Sequence, residues 1–271
     1  MTMSTTIDTP PAPALTTAQR ELFLRDGYLI MRGLAAAERV NALRRVTLEH
    51  VDAHIAPIEY EADVAYPGAP ASRAATGGDT PRRLRQAYDR DPVFADWAAD
   101  GRLSAILAQL LESETVYLSR NHHNCVMTKS PRYSTATAWH RDLRYWSFET
   151  PRLVNAWLAL GDETRANGCM RLLPATQHLP IEAERLDSAQ FLREDRPDNA
   201  ELIESAVTAE LAPGDVLFFD AGVFHAAGAN TTDERKLSVV TTYYGADNAP
   251  MPDTRSARLA PITVRSAEHA T

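Results

Sequence analysis

The stretch "TAWHRDLRYW", Thr137–Trp146, places His140 two residues before Asp142. In an extended strand, alternate side chains leave the same face. If the strand runs through Asp142, the imidazole and the carboxylate project side by side, as two ligands on one metal must. If it runs further, Arg144 shares that face and Tyr145, Trp146 and Phe148 follow it. A lone H-x-D pair is a weak signal, so its meaning depends on the residues around it.

Those surroundings read as β structure. From Val116 onward come short runs rich in β-branched and aromatic residues: "VYLSRNHHNCVMTK", "STATAWHRD", "RLVNAWLAL", "CMRLLPAT", "VLFFD", "VFHAAGAN" and "KLSVVTTYY". Turn signals separate them, among them "SPRY", "ANG", "APGD" and "NTTDE". Many short strands at near-regular spacing predict a β-sandwich or closed barrel. A polar segment over 182–199 interrupts the series and reads as loop or short helices. His122 and His123 are neighbours, and on a strand they would face opposite ways.

The N-terminal part is helical by pattern. Thr16 and Gln19 form a capping-box signature for a helix that Gly27 stops. "YLIMRG" is a short strand. Val40, Leu43, Val46 and Leu48 fall at helical spacing on an amphipathic helix that backs the sheet. Residues 59–80 are rich in Gly, Ala and Pro and predict a long loop of the kind that covers sites. "DPVFADWAADGRLSAILAQLLE" predicts a helical pair broken at Gly101. Residues 1–15 read as a loose tail and 16–271 as one domain.

Composition narrows the classes of function. The chain has 271 residues and a formal net charge of −8. An acidic balance argues against binding a phosphate backbone. Lys129 and Lys236 are the only lysines, a scarcity that reads as a compositional bias of the genome. Cys125 and Cys169 give neither a disulfide framework nor zinc spacing. With no secretory signal and no apolar run long enough for a membrane span, a cytoplasmic protein is expected, with no membrane or nucleic-acid partner. The cluster Arg82, Arg83 and Arg85 reads as a solvated face.

The third ligand lies downstream in "PGDVLFFDAGVFHAAGAN", where His225 follows a strand. Two histidines and one carboxylate form the facial triad of non-heme Fe(II) oxygenases, which leaves coordination positions open. Zinc enzymes also use this donor set. Arg235 stands ten residues after His225, beyond a turn, at a strand start. A guanidinium there could grip a carboxylate bidentately, as the distal end of 2-oxoglutarate requires.

The order His140-x-Asp142, Trp157, "NGCMRLLPATQH", "PGDVLFFDAGVFHAAGAN" and Arg235 resembles the phytanoyl-CoA dioxygenase family of Fe(II)/2-oxoglutarate oxygenases. "RDGYLIMRGL" also resembles the way these proteins begin, and the resemblance runs from about Leu15 to Gly245. It implies a mainly β fold, a double-stranded β-helix (jelly roll, cupin-like) with flanking N-terminal α-helices. It implies His140, Asp142 and His225 as metal ligands and catalytic centre. Arg235 is implied as the partner of 2-oxoglutarate, with Trp157 and Cys125 lining the cosubstrate. Arg144, Trp146 and His178 are candidate substrate contacts. The implied activity is a dioxygenase that consumes O2 and 2-oxoglutarate, hydroxylates a small organic molecule, and releases succinate and carbon dioxide, as a monomer or homodimer. The chain departs from the family pattern at "PATQH", Pro174–His178, where the family often has Gly-Ser-His, and at Ala227, where it often has serine or glycine. Two other readings stay open: a jelly-roll metalloenzyme that does not use 2-oxoglutarate, and a catalytically silent binding protein of the same fold.

Overall fold

The computed structural model describes residues 15–64, 66 and 68–266. Apart from Leu15, the expected tail lies outside the described residues. Leu15 itself donates its backbone N–H to Gln109 Oε1 at 2.8 Å.

The N-terminal half alternates helices with short strands. Helix α1 (Thr17–Asp26) leads to β1 (Tyr28–Met31) and then α2 (Ala37–Asp52). Strands β2 (Ile58–Tyr60) and β3 (Pro81–Arg85) follow. Helices α3 (Ala87–Arg90), α4 (Pro92–Ala98) and α5 (Gly101–Leu111) complete this half. The predicted capping box opens α1: Thr16 Oγ1 accepts from the Gln19 N–H, and Gln19 Oε1 accepts from the Thr16 N–H. Gly27, at φ +76°, closes the helix in the left-handed conformation glycine adopts freely.

The second half supplies the jelly roll. It contains β4 (Val116–Leu118), β5 (Asn124–Lys129), β6 (Thr137–His140) and β7 (Val154–Ala159). Strand β8 (Met170–Leu172) precedes helix α6 (Pro197–Glu204) and β9 (Val207–Ala209). The series ends with β10 (Val216–Asp220), β11 (His225–Ala227), β12 (Lys236–Gly245) and β13 (Ile262–Arg265). The large sheet runs β1-β10-β7-β12-β5-β3-β2, with β4 and β13 attached beside β12. The small sheet runs β6-β11-β8-β9. Every pairing is antiparallel, and the architecture is the expected double-stranded β-helix.

Both faces of the large sheet are buried. Val154, Ala156, Leu158, Val216, Phe218, Leu237 and Val239 face the helical layer with Leu43, Phe94 and Leu107. The alternate residues, including Trp157, Leu217, Phe219, Val240 and Cys125, face inward and meet Met170, Leu172 and Ala209 of the small sheet. Strand β12 is therefore buried along its whole length.

One ion pair ties the two sheets together. Arg82 on β3 donates to Glu61 Oε2 at 2.8 Å and to Thr137 Oγ1 of β6 at 2.9 Å, and both charged side chains are almost fully buried. The expectation of a solvated arginine face fails here, because β3 is an inner neighbour of β5. Removing one partner of a buried ion pair leaves an uncompensated charge, at a cost of about 3–5 kcal/mol. Arg82→Met should lower unfolding stability by about that amount in denaturant titrations, whereas Arg45→Met, at an exposed i,i+4 pair, should change it by less than about 1 kcal/mol.

Candidate metal centre and its cavity

The ladder between β6 and β11 of the small sheet brings the histidines together. His225 is the cross-strand partner of His140. Asp142 arrives differently from the expectation. Strand β6 ends at His140, and a 3₁₀ turn over Asp142–Tyr145 begins at the aspartate. Arg141 between them stays extended at φ −105° and ψ 142°, so the alternation holds for one more residue. The Asp142 N–H then donates to the Ala221 carbonyl at 3.1 Å, which fixes the turn.

The three side chains present ligand atoms that all lie within 4.8 Å of one another, and all three residues are buried. Asp142 Oδ1 sits 3.8 Å from Nε2 of each histidine. The far nitrogen of each ring is committed: Nδ1–H of His140 donates to the Ala138 carbonyl at 2.8 Å, and that of His225 to the Val223 carbonyl at 3.0 Å. Both Nε2 lone pairs therefore point inward. Burial holds both imidazoles below their ordinary pKa, and for His140 the neighbouring His225 adds to the effect. Neutral rings in this tautomer are what a metal needs.

The carboxylate is held from both oxygens. His123 Nε2–H donates to Oδ1 at 3.0 Å, and Asn155 Nδ2 donates to Oδ2 at 2.8 Å. The Asn155 amide is itself oriented by Thr242 Oγ1, which donates to its oxygen at 2.5 Å. Burial alone would raise the Asp142 carboxyl, but the imidazoles of His123 and His225 outweigh it and keep the group below the usual carboxylate range. The same partnership raises His123 against its own burial. His123 was not among the expected site residues. It and His122 lie in an irregular segment before β5, so strand alternation does not separate them, and both line the same cavity.

That cavity, about 590 Å³, opens from His140 and Asp142. Cys125, Arg144 and Trp146 are among the residues that line it. Arg144 reaches it from the 3₁₀ turn, not from a continued strand, with its guanidinium 4.2 Å above the Phe191 ring. Trp146 stacks on His122 at 4.6 Å. Trp157 packs with Cys125 in the inner cluster and donates its indole N–H to Glu163 Oε1 at 2.8 Å. Cys125 and Cys169 are both free and buried. His178 is exposed and lines neither this cavity nor the smaller one beside Arg141.

Arg235 lines neither of these cavities. Its guanidinium turns outward to Asp52 Oδ1 at the end of α2, at 3.0 Å. The next residue, Lys236, faces inward and donates to Glu163 Oε2 at 3.0 Å and Ser238 Oγ at 3.2 Å. Its cross-strand neighbour is Lys129, which donates to the Gly228 carbonyl at 2.6 Å. The chain's only two lysines thus form one buried pair inside the jelly roll, for a structural reason that composition did not reveal.

A two-histidine, one-carboxylate face on a double-stranded β-helix defines the class of mononuclear non-heme metal oxygenases. Residues 23–238 match the phytanoyl-CoA dioxygenase family (PhyH), and the chain belongs to that family. Among curated relatives, the ectoine dioxygenase of Bordetella parapertussis is 25% identical over 257 residues, covering 89% of this chain and 79% of that protein. The L-proline trans-4-hydroxylase of Streptomyces griseoviridis is 26% identical, covering 64% and 71% respectively. Among solved structures, the epimerase SnoN in complex with Fe3+, alpha ketoglutarate and nogalamycin RO superimposes with a TM-score of 0.68 at 25% identity, covering 92% of this chain and 93% of that one.

Outer hydrogen-bond partners of a metal ligand typically change metal affinity about 10- to 100-fold when removed. Asn155→Ala should weaken Fe(II) or Co(II) binding by about that factor in anaerobic titrations, while Asn121→Ala, elsewhere on the cavity wall, should leave it unchanged.

Proposed function

We propose that this enzyme hydroxylates a small organic molecule using Fe(II), dioxygen and 2-oxoglutarate, with release of succinate and carbon dioxide. The observation that carries the reading is that two unprotonated Nε2 atoms and one carboxylate oxygen lie within 4.8 Å of one another. His140, Asp142 and His225 would hold the metal. Three protein donors would leave coordination positions open for cosubstrate and dioxygen. When bound, the iron supplies the oxidative chemistry, and the chain's own residues bind, orient and exclude water. The relatives named as dioxygenases and hydroxylases support the reaction type.

The face of β12 argues for a cosubstrate anchor other than Arg235. Thr242 is tied through Asn155 to Asp142, Val240 pairs with Trp157 and Cys125, and Lys236 stands on the same face at the start of the strand. This line leads from the metal into the interior past the residues expected to line 2-oxoglutarate. At its end three cations, Lys129, Lys236 and Arg82, stand near two carboxylates, Glu61 and Glu163. Burial, with the nearby charge of Arg82, lowers the Lys129 ammonium to about 7. A cosubstrate carboxylate would complete the charge balance there, so Lys236 takes the role expected of Arg235.

On the substrate side, Arg144 and Trp146 offer a cation beside an aromatic surface. Both fit a substrate with an anionic group next to an apolar body.

Two measurements test these assignments. A substrate panel scored by succinate release should give 2-oxoglutarate-dependent turnover in wild type and almost none in His225→Ala. Turnover without 2-oxoglutarate would reject the cosubstrate. Losing the cationic anchor should cost on the order of 2–4 kcal/mol, a roughly thirty- to thousand-fold weaker 2-oxoglutarate constant. The variant Lys236→Met/Glu163→Gln, which leaves no carboxylate unpaired, should show that loss in calorimetric titrations, and Arg235→Ala should not.

A further inference from the structure

The cavity wall carries more positive charge than its neighbours offset. Six arginines line it: Arg83, Arg85, Arg120, Arg144, Arg255 and Arg258. The carboxylates on the same wall are Glu59 and the metal ligand Asp142. This is a local excess in a chain whose net charge is −8. Arg83 pairs with Glu59 at 3.1 Å and Arg120 with Asp89 at 3.0 Å. Among the described residues, no carboxylate comes within 4.0 Å of Arg85, Arg255 or Arg258. Burial first, then the charges of Arg85 and Arg83, lower the Arg255 guanidinium below its ordinary value, with Glu59 opposing.

The segment that carries two of these arginines is firmly held. Between them, Ser256 is buried; its Oγ accepts from the Ser147 N–H at 2.9 Å and meets His122 Nε2 at 2.8 Å. Asn121 Nδ2 donates to the Ser256 and Leu259 carbonyls, both at 2.9 Å. The backbone is thus fixed where it presents Arg255 and Arg258, while Arg85 enters from β3 on the large sheet. Like charges gathered around one opening raise the energy of the free protein, and an anion placed among them removes that cost.

We propose that Arg85, Arg255 and Arg258 form an anion subsite of the cavity, which takes a compact, doubly negative group of the substrate, either a phosphate monoester or a pair of carboxylates. The inference rests on the reading of this cavity as the substrate cavity of the oxygenase, and it adds a second anchor beyond Arg144. A substrate held there and at the metal spans the cavity, so its charge selects it and its position relative to the subsite selects the carbon that is oxidised.

The test is calorimetric titration of the full-length, metal-free protein at fixed ionic strength with two probes, inorganic phosphate and propane-1,2,3-tricarboxylate. Wild type should bind at least one of them saturably, and the one it binds identifies the chemistry of the group. Arg85→Gln/Arg258→Gln should weaken that binding about thirty-fold or more. His225→Ala should leave it unchanged, which separates the subsite from the metal centre. The substituted arginines are exposed, so the double variant should melt like wild type. No saturable binding of either probe, or equal binding by the double variant, overturns the proposal. Loss of 2-oxoglutarate-dependent turnover from the wild type would overturn the oxygenase reading and leave probe binding as it is.

Discussion

The burial of Asp142 is the constraint on which the site depends. A carboxylate out of water is expensive unless each oxygen has a partner. Here one oxygen meets His123 and the other meets Asn155, and the same oxygen that meets His123 faces both metal-binding imidazoles. These partners come from the segment before β5, from β7 and from the small sheet. Satisfying this one group therefore requires the two sheets to close in a single register. The His140–His225 pairing and the Asn155–Thr242 hydrogen bond follow from the same closure.

A jelly-roll interior built this way is not an oily core. It holds apolar side chains in its middle, the metal triad at one end, and Lys129, Lys236 and Glu163 along its floor. Lys236 pairs with Glu163, and Lys129 donates to the Thr135 and Gly228 carbonyls, so the interior is polar and its ammonium groups have near partners. The Glu61–Arg82 pair does the same at the seam between β3 and β6. A site that must admit an anionic cosubstrate and a metal needs such preorganised polarity, and the helical layer on the other face of the large sheet keeps it in place.

The triad and the fold class were legible because they depend on local pattern. H-x-D, the distal histidine after a strand and the series of short strands survive in the sequence as spacing. Which of Arg235 and Lys236 turns into the jelly roll was not legible. Strand β12 is buried on both faces, so its sequence does not alternate between polar and apolar, and nothing distinguishes Arg235 from Lys236 by parity. The capping-box helix and the broken helical pair were legible from caps and periodicity. His123, the Arg255–Arg258 segment and the exposure of His178 were not, because irregular segments owe their shape to contacts distant in sequence. Arg82 read as solvated for the same reason: its partners, Glu61 and Thr137, are far from it along the chain.

The placement of the two lysines has a chemical corollary. Both ε-amines are enclosed between the sheets, so among the described residues the folded surface offers arginine guanidinium groups but no lysine amine. A reagent that acylates amines can reach Lys129 or Lys236 only when the jelly roll opens. Their rate of modification is then a clock for that opening, set by the stability of the two sheets against each other and not by the accessibility of the surface.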